Sequence, residues 1–340
     1  MIVKKESEEY SNFVNLEKAE LHAHLNGCIP KDKILDLVQK HDVKIPPDFD
    51  IDQDLQILKP VGSLVEYFKP WLVLKLLPVG KECLIQMVDA AVEALSADSI
   101  TYVEFRNSPF NICEINDISI AQSLDWLIEA LCRSSEKYGV KSNLIVSLSR
   151  YNFDLTKSWE LFDAIRSKNE SKVIVGVDLS GDENCHIPGE VSRFFRSAKD
   201  ELGMGITIHA GETGHLENIK WAIDECQADR LSHALAAAKC EKTLDIIKKN
   251  NICLEISLIS NLRTGAVKKL KLHPVITFIE HRIPFVLCSD NPNVHGSSLS
   301  DEYQLFFDLT ARRDLIDSMF SVQRKYCFDR GNRVYEKNRY

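Results

Sequence analysis

Two histidines one residue apart, His22 and His24, lie in the stretch ELHAHLN near the start of the chain. In an extended strand alternate side chains point to the same side, so both imidazoles could face one ion. Imidazole nitrogen is a frequent ligand of catalytic zinc. Because such pairs also occur by chance, a metal site requires further ligands elsewhere in the chain.

Further side chains suited to metal binding and proton transfer follow other apolar runs. HAGE contains His209 and Glu212, LSHAL contains His233, and CSDN contains Asp290. Together with the N-terminal pair, His209 and Asp290 make a ligand set typical of zinc with an open position for water. Zinc lowers the pKa of bound water to about 7. Glu212 and His233 would remain as two proton-handling groups, one for the water and one for the substrate.

The elements that must position these residues are short strands. Eight runs rich in Val, Ile and Leu alternate with stretches in which apolar residues recur every three or four positions. The runs are 18–25, 99–106, 142–149, 173–180, 205–211, 229–235, 252–259 and 283–290. This succession predicts an α/β fold of the (β/α)8 type, a TIM barrel. A doubly wound sheet is less favoured, because it often carries a G-x-G-x-x-G turn and the chain has none.

The active site of such a barrel lies at the carboxyl ends of the strands, so these side chains would converge on one rim. The first crossover, residues 26–98, is longer than one helix requires and contains the apolar helical segment PVGSLVEYFKPWLVLKLLP. This segment could pack on the side of the barrel or cover its mouth as a lid. The sequence favours neither arrangement.

The composition predicts a globular protein with one domain over residues 1–340. The net charge of −8 argues against nucleic-acid or anionic-membrane partners. The charged N-terminus does not resemble a secretion signal, and the most apolar window, WLVLKLLPV, is too short to span a bilayer. Ten cysteines without a C-x-x-C pair predict reduced thiols and a cytoplasmic location. The oligomeric state cannot be predicted.

Seven motifs resemble, in order and content, those of the adenosine deaminase family of metal-dependent aminohydrolases. They are ELHAHLNG, RNSP, VDLSGDE, HAGETG, RLSHAL, SNLRTGAV and CSDNP. The resemblance runs from about residue 18 to residue 305. It implies a barrel with one zinc ion that hydrolyses the 6-amino group of an aminopurine, a small-molecule partner, to a 6-oxo group and ammonia. Adenosine and 2′-deoxyadenosine are the expected substrates.

The resemblance also implies roles for individual residues. Glu212 would donate a proton to purine N1, His233 would orient and deprotonate the water, and Asp290 would contact that water as well as the zinc. Gly181 would donate its backbone N–H to purine N3, where a glycine allows close approach of the ring. The implied substrate contacts are His24, Asn26, Leu64, Phe68, Gly181 and Asn291, of which Leu64 and Phe68 would form an apolar wall over the ribose.

Asn26 is a departure from the family pattern, because many members have an aspartate there that holds the ribose 5′-hydroxyl. A 5′-phosphate carries a charge of roughly −1.5 to −2, so the uncharged amide removes one barrier to nucleotides. The spelling HLNG also resembles the branch that acts on N6-methyl-AMP, but that branch lacks HAGE at the fifth strand. Adenosine is therefore favoured. A nucleotide substrate would need a cation near the strand ends, where the sequence offers Arg106 and Arg150.

Asn291 is a second departure, since the common spelling has two aspartates and the second one contacts purine N7. Asparagine can instead donate its own N–H to unprotonated N7. Adenine or N6-methyl-AMP deamination on the same scaffold stays an alternative. A purine-binding protein without activity is disfavoured, because the proton donor and the ligand set are intact. The other zinc deaminase type requires P-C-x-x-C, which does not occur here.

Overall fold

The structure, a computed structural model, describes residues 8–151, 153–185, 187 and 189–329. Eight parallel strands form one sheet whose spatial order follows the chain order. Strands β1 to β8 are Lys18–His24, Ile100–Asn107, Lys141–Ser149, Ile174–Ser180, Gly205–Ala210, Arg230–His233, Cys253–Ile256 and Phe285–Leu287. The predicted (β/α)8 barrel is confirmed, because a doubly wound sheet would reverse its strand order part-way.

Helices surround the sheet and follow the strands in the expected alternation. In the described residues, α1 to α16 are Glu8–Asn15, Lys31–Lys40, Leu64–Tyr67, Trp71–Leu74, Gly80–Ser96, Pro109–Asn116, Ile120–Tyr138, Leu155–Lys168, Val191–Leu202, Leu216–Asp224, Glu241–Lys249, Leu258–Arg263, Val275–Glu280, Pro292–His295, Leu299–Thr310 and Arg313–Tyr326. Within this part of the chain, no helix combines the length and the apolar character that a bilayer crossing requires.

The barrel closes where β1 meets the segment that follows β8. Ala23 and Asp290 form a parallel bridge. The backbone N–H of Asp290 donates to the His22 carbonyl at 2.9 Å, and the N–H of His24 donates to the Asp290 carbonyl at 2.9 Å. The closing hydrogen bonds are therefore made by residues that the sequence predicts to bind metal.

The lumen of the barrel contains charged side chains that are fully buried and paired. Arg106 Nη2 lies 2.5 Å from Glu255 Oε2, and Arg230 Nε lies 2.7 Å from Glu255 Oε1. Arg230 Nη2 also pairs with Glu104 Oε2 at 2.7 Å. Breaking a buried pair leaves an uncompensated charge, so these contacts fix the strands relative to one another.

The ring of Phe328 closes the amino-terminal end of the barrel. A Cβ on Gly205 would lie 2.2 Å from this ring and one on Gly176 would lie 2.7 Å from it, so both positions require glycine. The guanidinium of Arg230 stacks on the same ring, 3.7 Å from its centroid. The chain after α16 therefore forms the floor beneath the charged lumen.

The first crossover lies across the mouth of the barrel, at the carboxyl ends of the strands. Its apolar segment forms two single-turn helices, α3 and α4, instead of one continuous helix, since Pro70 separates them. The N–H of Val61 donates to the carbonyl of Arg263 at 3.0 Å, and Tyr67 Oη lies 2.9 Å from His295 Nε2. The segment is therefore a cover over the mouth.

Candidate metal and catalytic site

Three imidazoles converge at the carboxyl end of the barrel. His22 and His24 are alternate residues of β1, and His209 is the penultimate residue of β5. The ring of His22 lies 4.8 Å from that of His209 and 5.4 Å from that of His24, centroid to centroid. One nitrogen atom of each of the three rings lies within 4.8 Å of one nitrogen atom of each of the other two. The structure thus brings together the three nitrogen ligands that the sequence predicts.

Asp290 completes the set, as its Oδ1 lies 3.4 Å from His22 Nε2 and 3.3 Å from His24 Nε2. The ring centroid of His233 lies 5.3 Å from that of His22. One potential ligand atom each of His22, His233 and Asp290 lie within 4.8 Å of one another. His233 and Asp290 both have left-handed backbone, with φ of +66° and +61°. Such strain costs about 1–3 kcal/mol per residue and is concentrated at functional sites.

The hydrogen bonds of two imidazoles prepare them to bind a cation. His22 Nδ1 donates to Glu255 Oε2 at 2.9 Å, and His209 Nδ1 donates to Asp178 Oδ1 at 3.1 Å. In each neutral ring the lone pair is then on Nε2, as in carboxylate–histidine–metal sites. The buried Nε2 of His22 has no hydrogen-bond partner among the described residues and faces the carboxylate of Asp290. Two acceptors facing each other are what a cation between them would satisfy, so these residues fit a divalent metal.

Glu255 is the centre of the network beneath the imidazoles. Burial alone would raise its pKa, but the charges of Arg106 and Arg230 outweigh burial and hold the pKa of Glu255 well below its usual range. Ser232 Oγ also donates to Glu255 Oε2, at 2.7 Å. The carboxylate therefore stays ionised and keeps His22 oriented.

The two arginines that the sequence offers to a phosphate have other partners. Arg106 is fully buried beneath the imidazoles, between Glu255 and Asp178. Arg150 is also buried, and its Nη2 donates to the carbonyl of His209 at 2.8 Å. Neither guanidinium lies free at the mouth of the barrel.

Glu212 lies beside His233, with Oε2 3.7 Å from His233 Nε2. Its other oxygen, Oε1, accepts a hydrogen bond from Thr264 Oγ1 at 3.2 Å. Burial, together with the negative charges of Asp290 and Glu183, raises the pKa of Glu212 to about 8. The carboxyl is therefore protonated at neutral pH and can donate a proton.

Glu183 holds the backbone of the segment that carries Glu212. Its Oε2 accepts from Gly211 N–H at 2.6 Å, and its Oε1 accepts from the N–H groups of Glu212 at 2.6 Å and Thr213 at 3.1 Å. Asn218 Nδ2 donates to Oε2 at 3.0 Å. One buried carboxylate thus satisfies three successive backbone donors at the turn after β5.

The polar atoms of Asn26 are already engaged. Asn26 Nδ2 donates to the carbonyl of Leu74, at the end of α4, at 2.8 Å. Its Oδ1 accepts from Asn107 Nδ2 at 2.9 Å. The side chain therefore joins the turn after β1 to β2 and the cover, and the Leu74 carbonyl requires a donor at this position.

Asn291 is buried next to the predicted ligands. Its Nδ2 donates to Asp290 Oδ1 at 2.7 Å and to Tyr67 Oη at 3.3 Å, so both N–H groups have partners. A Cβ on residue 27 would lie only 2.1 Å from Asn291 Oδ1, so position 27 requires glycine. Contact with a purine N7 would require one of these hydrogen bonds to open.

The remaining predicted contacts lie around the same mouth. Gly181 follows β4 with φ of +102°, a conformation that favours glycine. The ring of Phe68 lies 5.7 Å from that of Tyr151, edge to face. His24 is the most exposed of the three imidazoles, with 21% of its side chain accessible. The side chain of Leu64 lies outside the described part of the structure.

Sequence reasoning missed the carboxylates that orient this site. Asp178 and Glu255 lie inside apolar strand segments, VDLS and CLEI, where an isolated acid signals a buried partner. Glu183 belongs to the motif VDLSGDE, but no role was predicted for it. A search for single charged residues within predicted strands would have identified the first two.

Comparisons with known proteins agree on one family. A sequence model of the family described as Adenosine deaminase matches residues 17–312. A relative from Clostridium acetobutylicum, named adenosine deaminase, is 35% identical over 293 residues, which cover 85% of this chain and 86% of that protein.

Two solved structures have the same fold at low sequence identity. The Arabidopsis N6-mAMP deaminase superposes with a TM-score of 0.84 at 23% identity and covers 97% of this chain and 100% of that chain. An amidohydrolase from Burkholderia ambifaria, with bound Zn, gives 0.84 at 20% identity and covers 98% and 92%. Both comparisons support the barrel described above.

Proposed function

This chain belongs to the adenosine deaminase family, and on that premise we propose that it is a single-domain zinc enzyme that hydrolyses adenosine and 2′-deoxyadenosine. The reaction adds water at C6 and releases ammonia, giving inosine or 2′-deoxyinosine. The observation that carries the proposal is the position of Glu212, whose Oε2 lies 3.7 Å from His233 Nε2 at the edge of the imidazole cluster.

The proposed zinc ligands are His22, His24, His209 and Asp290. Zinc is preferred because three imidazoles and one carboxylate with an open position are typical of its catalytic sites. A zinc ion bound there would lower the pKa of its water to about 7 and so supply hydroxide at neutral pH. The zinc-bound neighbour of the same fold supports this choice of metal.

The remaining chemistry belongs to side chains of this protein. Glu212, protonated at neutral pH, would donate its proton to N1 of the purine, which makes C6 electrophilic. His233 and Asp290, which share a group of ligand atoms with His22, would contact the attacking oxygen. The amino group leaves as ammonia once it has gained a proton, and the 6-oxo product remains.

A nucleoside is preferred to a nucleotide for two reasons. A 5′-phosphate would need a cation, and the two candidates, Arg106 and Arg150, have partners inside the barrel. The relative at 35% identity is named for adenosine, whereas the N6-mAMP deaminase is a more distant neighbour at 23%. A cytoplasmic location stays a prediction that rests on the scattered cysteines.

A substrate panel tests the proposal. Zinc-loaded protein is mixed separately with adenosine, 2′-deoxyadenosine, adenine, AMP and N6-methyl-AMP, and ammonia or methylamine release is measured. We expect the largest kcat/KM for the two nucleosides. A larger kcat/KM for adenine or N6-methyl-AMP would show that this compound is the substrate instead. The absence of ammonia or methylamine release from every compound would refute the proposed function.

A pair of glutamine variants makes the assay specific for the site. Glu212→Gln should retain zinc and bind adenosine, yet lose about 10²–10⁴ in kcat, as expected for loss of a general acid. The control is Glu217→Gln, because Glu217 is an exposed glutamate on α10 near the same segment. Unchanged turnover in Glu212→Gln would remove this residue from the mechanism.

A further inference from the structure

Three buried side chains form a chain of hydrogen bonds that begins at a backbone donor. The N–H of Val275, at the start of α13, donates to His273 Nδ1 at 3.0 Å. A backbone N–H can only donate, so His273 Nδ1 carries no proton. Burial lowers the pKa of His273 to about 3, so the ring is neutral. Its single proton must therefore be on Nε2.

The direction of the next two hydrogen bonds follows from the first. His273 Nε2 lies 3.1 Å from Asn261 Oδ1, and the amide oxygen accepts the Nε2 proton. This contact fixes the orientation of the Asn261 amide, with Oδ1 toward His273 and Nδ2 toward His233. Asn261 Nδ2 then donates to His233 Nδ1 at 3.1 Å. The Nδ1 lone pair of His233 is occupied, so a neutral His233 carries its proton on Nε2.

The three side chains are almost inaccessible to water, which makes the chain unambiguous. Asn261 is fully buried, and His233 and His273 are each 2% exposed. An unpaired polar group at such a position costs about 1–3 kcal/mol, so each donor is held opposite its acceptor. Because Nε2 of His233 is the nitrogen near Glu212, the fixed tautomer points a donor toward the site of reaction.

We infer that Asn261 and His273 are positioning residues that hold His233 in the tautomer with its proton on Nε2, so that His233 donates a hydrogen bond to the attacking oxygen. This differs from the role expected from the sequence, in which His233 takes a proton from the water. The proton of the water must then go to another acceptor. Asp290 can take this role, because one of its carboxylate oxygens lies within 4.8 Å of a ring nitrogen of His233. The catalytic part of this inference rests on the proposed deamination, whereas the tautomer does not.

Nitrogen NMR of the side chains tests the tautomer without any substrate. Metal-free protein labelled with 15N-histidine is compared with a His233→Gln sample, which identifies the signals of His233. We expect the chemical shift of an unprotonated nitrogen at Nδ1 and that of a protonated nitrogen at Nε2. The reverse assignment, or equal populations of both tautomers, would overturn the inference.

Two variants test the positioning residues themselves. Asn261→Asp replaces the amide donor by an acceptor, so His233 should shift its proton to Nδ1. Since an oriented donor at the reaction site is worth about 10²–10³ in kcat, we expect a loss of that size with similar KM and zinc content. A reversed tautomer with unchanged kcat would refute the catalytic role.

His273→Ala keeps the amide but removes the group that orients it. The Asn261 side chain can then turn, and His233 should show both tautomers. The control is His281→Ala, because His281 lies just beyond α13 and its Nδ1 contacts the carbonyl of Thr277, outside the site. A single wild-type tautomer in His273→Ala would show that His273 has no such role. If no purine is deaminated, the proposed function fails while the NMR result still decides the tautomer.

Discussion

The carboxylate of Glu183 accepts a hydrogen bond from the backbone N–H of Glu212 at 2.6 Å, so one buried glutamate holds the main chain of another. The same carboxylate accepts from Gly211 and Thr213, which leaves the turn after β5 little freedom. Its negative charge also contributes to the raised pKa of Glu212. Glu183 therefore fixes the position of the proposed proton donor and adds to the effects of burial and Asp290 on its protonation.

Glu183→Gln should lower kcat by about 10²-fold at pH 7. The amide places an N–H group against backbone donors, and a shift of about 1 Å in a catalytic group has an effect of this size. Stopped assays with adenosine and metal analysis provide the measurement, and zinc content should not change. Glu190→Gln is the control, since Glu190 is exposed at the start of α9. Wild-type kcat in Glu183→Gln would contradict the assigned role.

Glu212 should make the metal-free protein less stable as the pH rises. Its pKa is about 8 in the folded state and 4.5 in the reference state, so between these values the unfolded chain has lost a proton that the folded chain keeps. The free energy of unfolding should therefore fall by about 1.4 kcal/mol per pH unit from this group.

Urea unfolding of metal-free protein at several pH values measures this slope. In Glu212→Gln the contribution should disappear, so the variant gains stability over the wild type from pH 5 to pH 8. Parallel stability curves for the two proteins would contradict the raised pKa.

Asp178→Asn should weaken zinc binding by about 10- to 100-fold. The variant loses the charge that orients His209 through the 3.1 Å contact with Nδ1, and loss of such an outer partner has effects of this size. Competition with a chelating dye measures the affinity. Asp163→Asn serves as the comparison, because Asp163 is an exposed residue of α8. Equal zinc affinity in both variants would show that Asp178 does not support the metal site.

Asn26→Asp should raise KM for adenosine and lower the free energy of unfolding by about 1–3 kcal/mol. A carboxylate cannot donate to the Leu74 carbonyl, so two acceptors would face each other and the cover would separate from β1. The control is Asn250→Asp, which breaks an equivalent hydrogen bond from a side-chain amide to a backbone carbonyl, that of Ile246, at an exposed site. If Asn26→Asp changed only the ratio of adenosine to AMP turnover, the residue would read the 5′ end and not fasten the cover.

The barrel could be predicted from the sequence because eight short apolar runs alternate with stretches of helical periodicity. The boundaries were less certain. The run 252–259 extends past β7, which ends at Ile256, because Leu258 begins α12 with equally apolar residues. Apolar character alone does not separate a short buried strand from the helix that follows it.

The partners of the site residues could not be predicted, because they lie far apart in the sequence. Arg106 lies near the end of β2, as expected, but its side chain points into the lumen toward Glu255, 149 residues away. Contact between Asn26 and substrate stays a prediction, and its partners on β2 and α4 were not foreseen from the sequence. For neither side chain does the sequence show how deeply it is buried or which residues it contacts.

The seam between β1 and the segment after β8 has a consequence for how the protein is made. Its hydrogen bonds join His22 and His24 to Asp290, so β1 and the segment after β8 must meet before the ligand set exists. A ribosome releases the early histidines long before it has synthesised the aspartate. A metal ion held by these residues would therefore be acquired only after residue 290 has been synthesised, and a product truncated before that residue would hold at most an incomplete site.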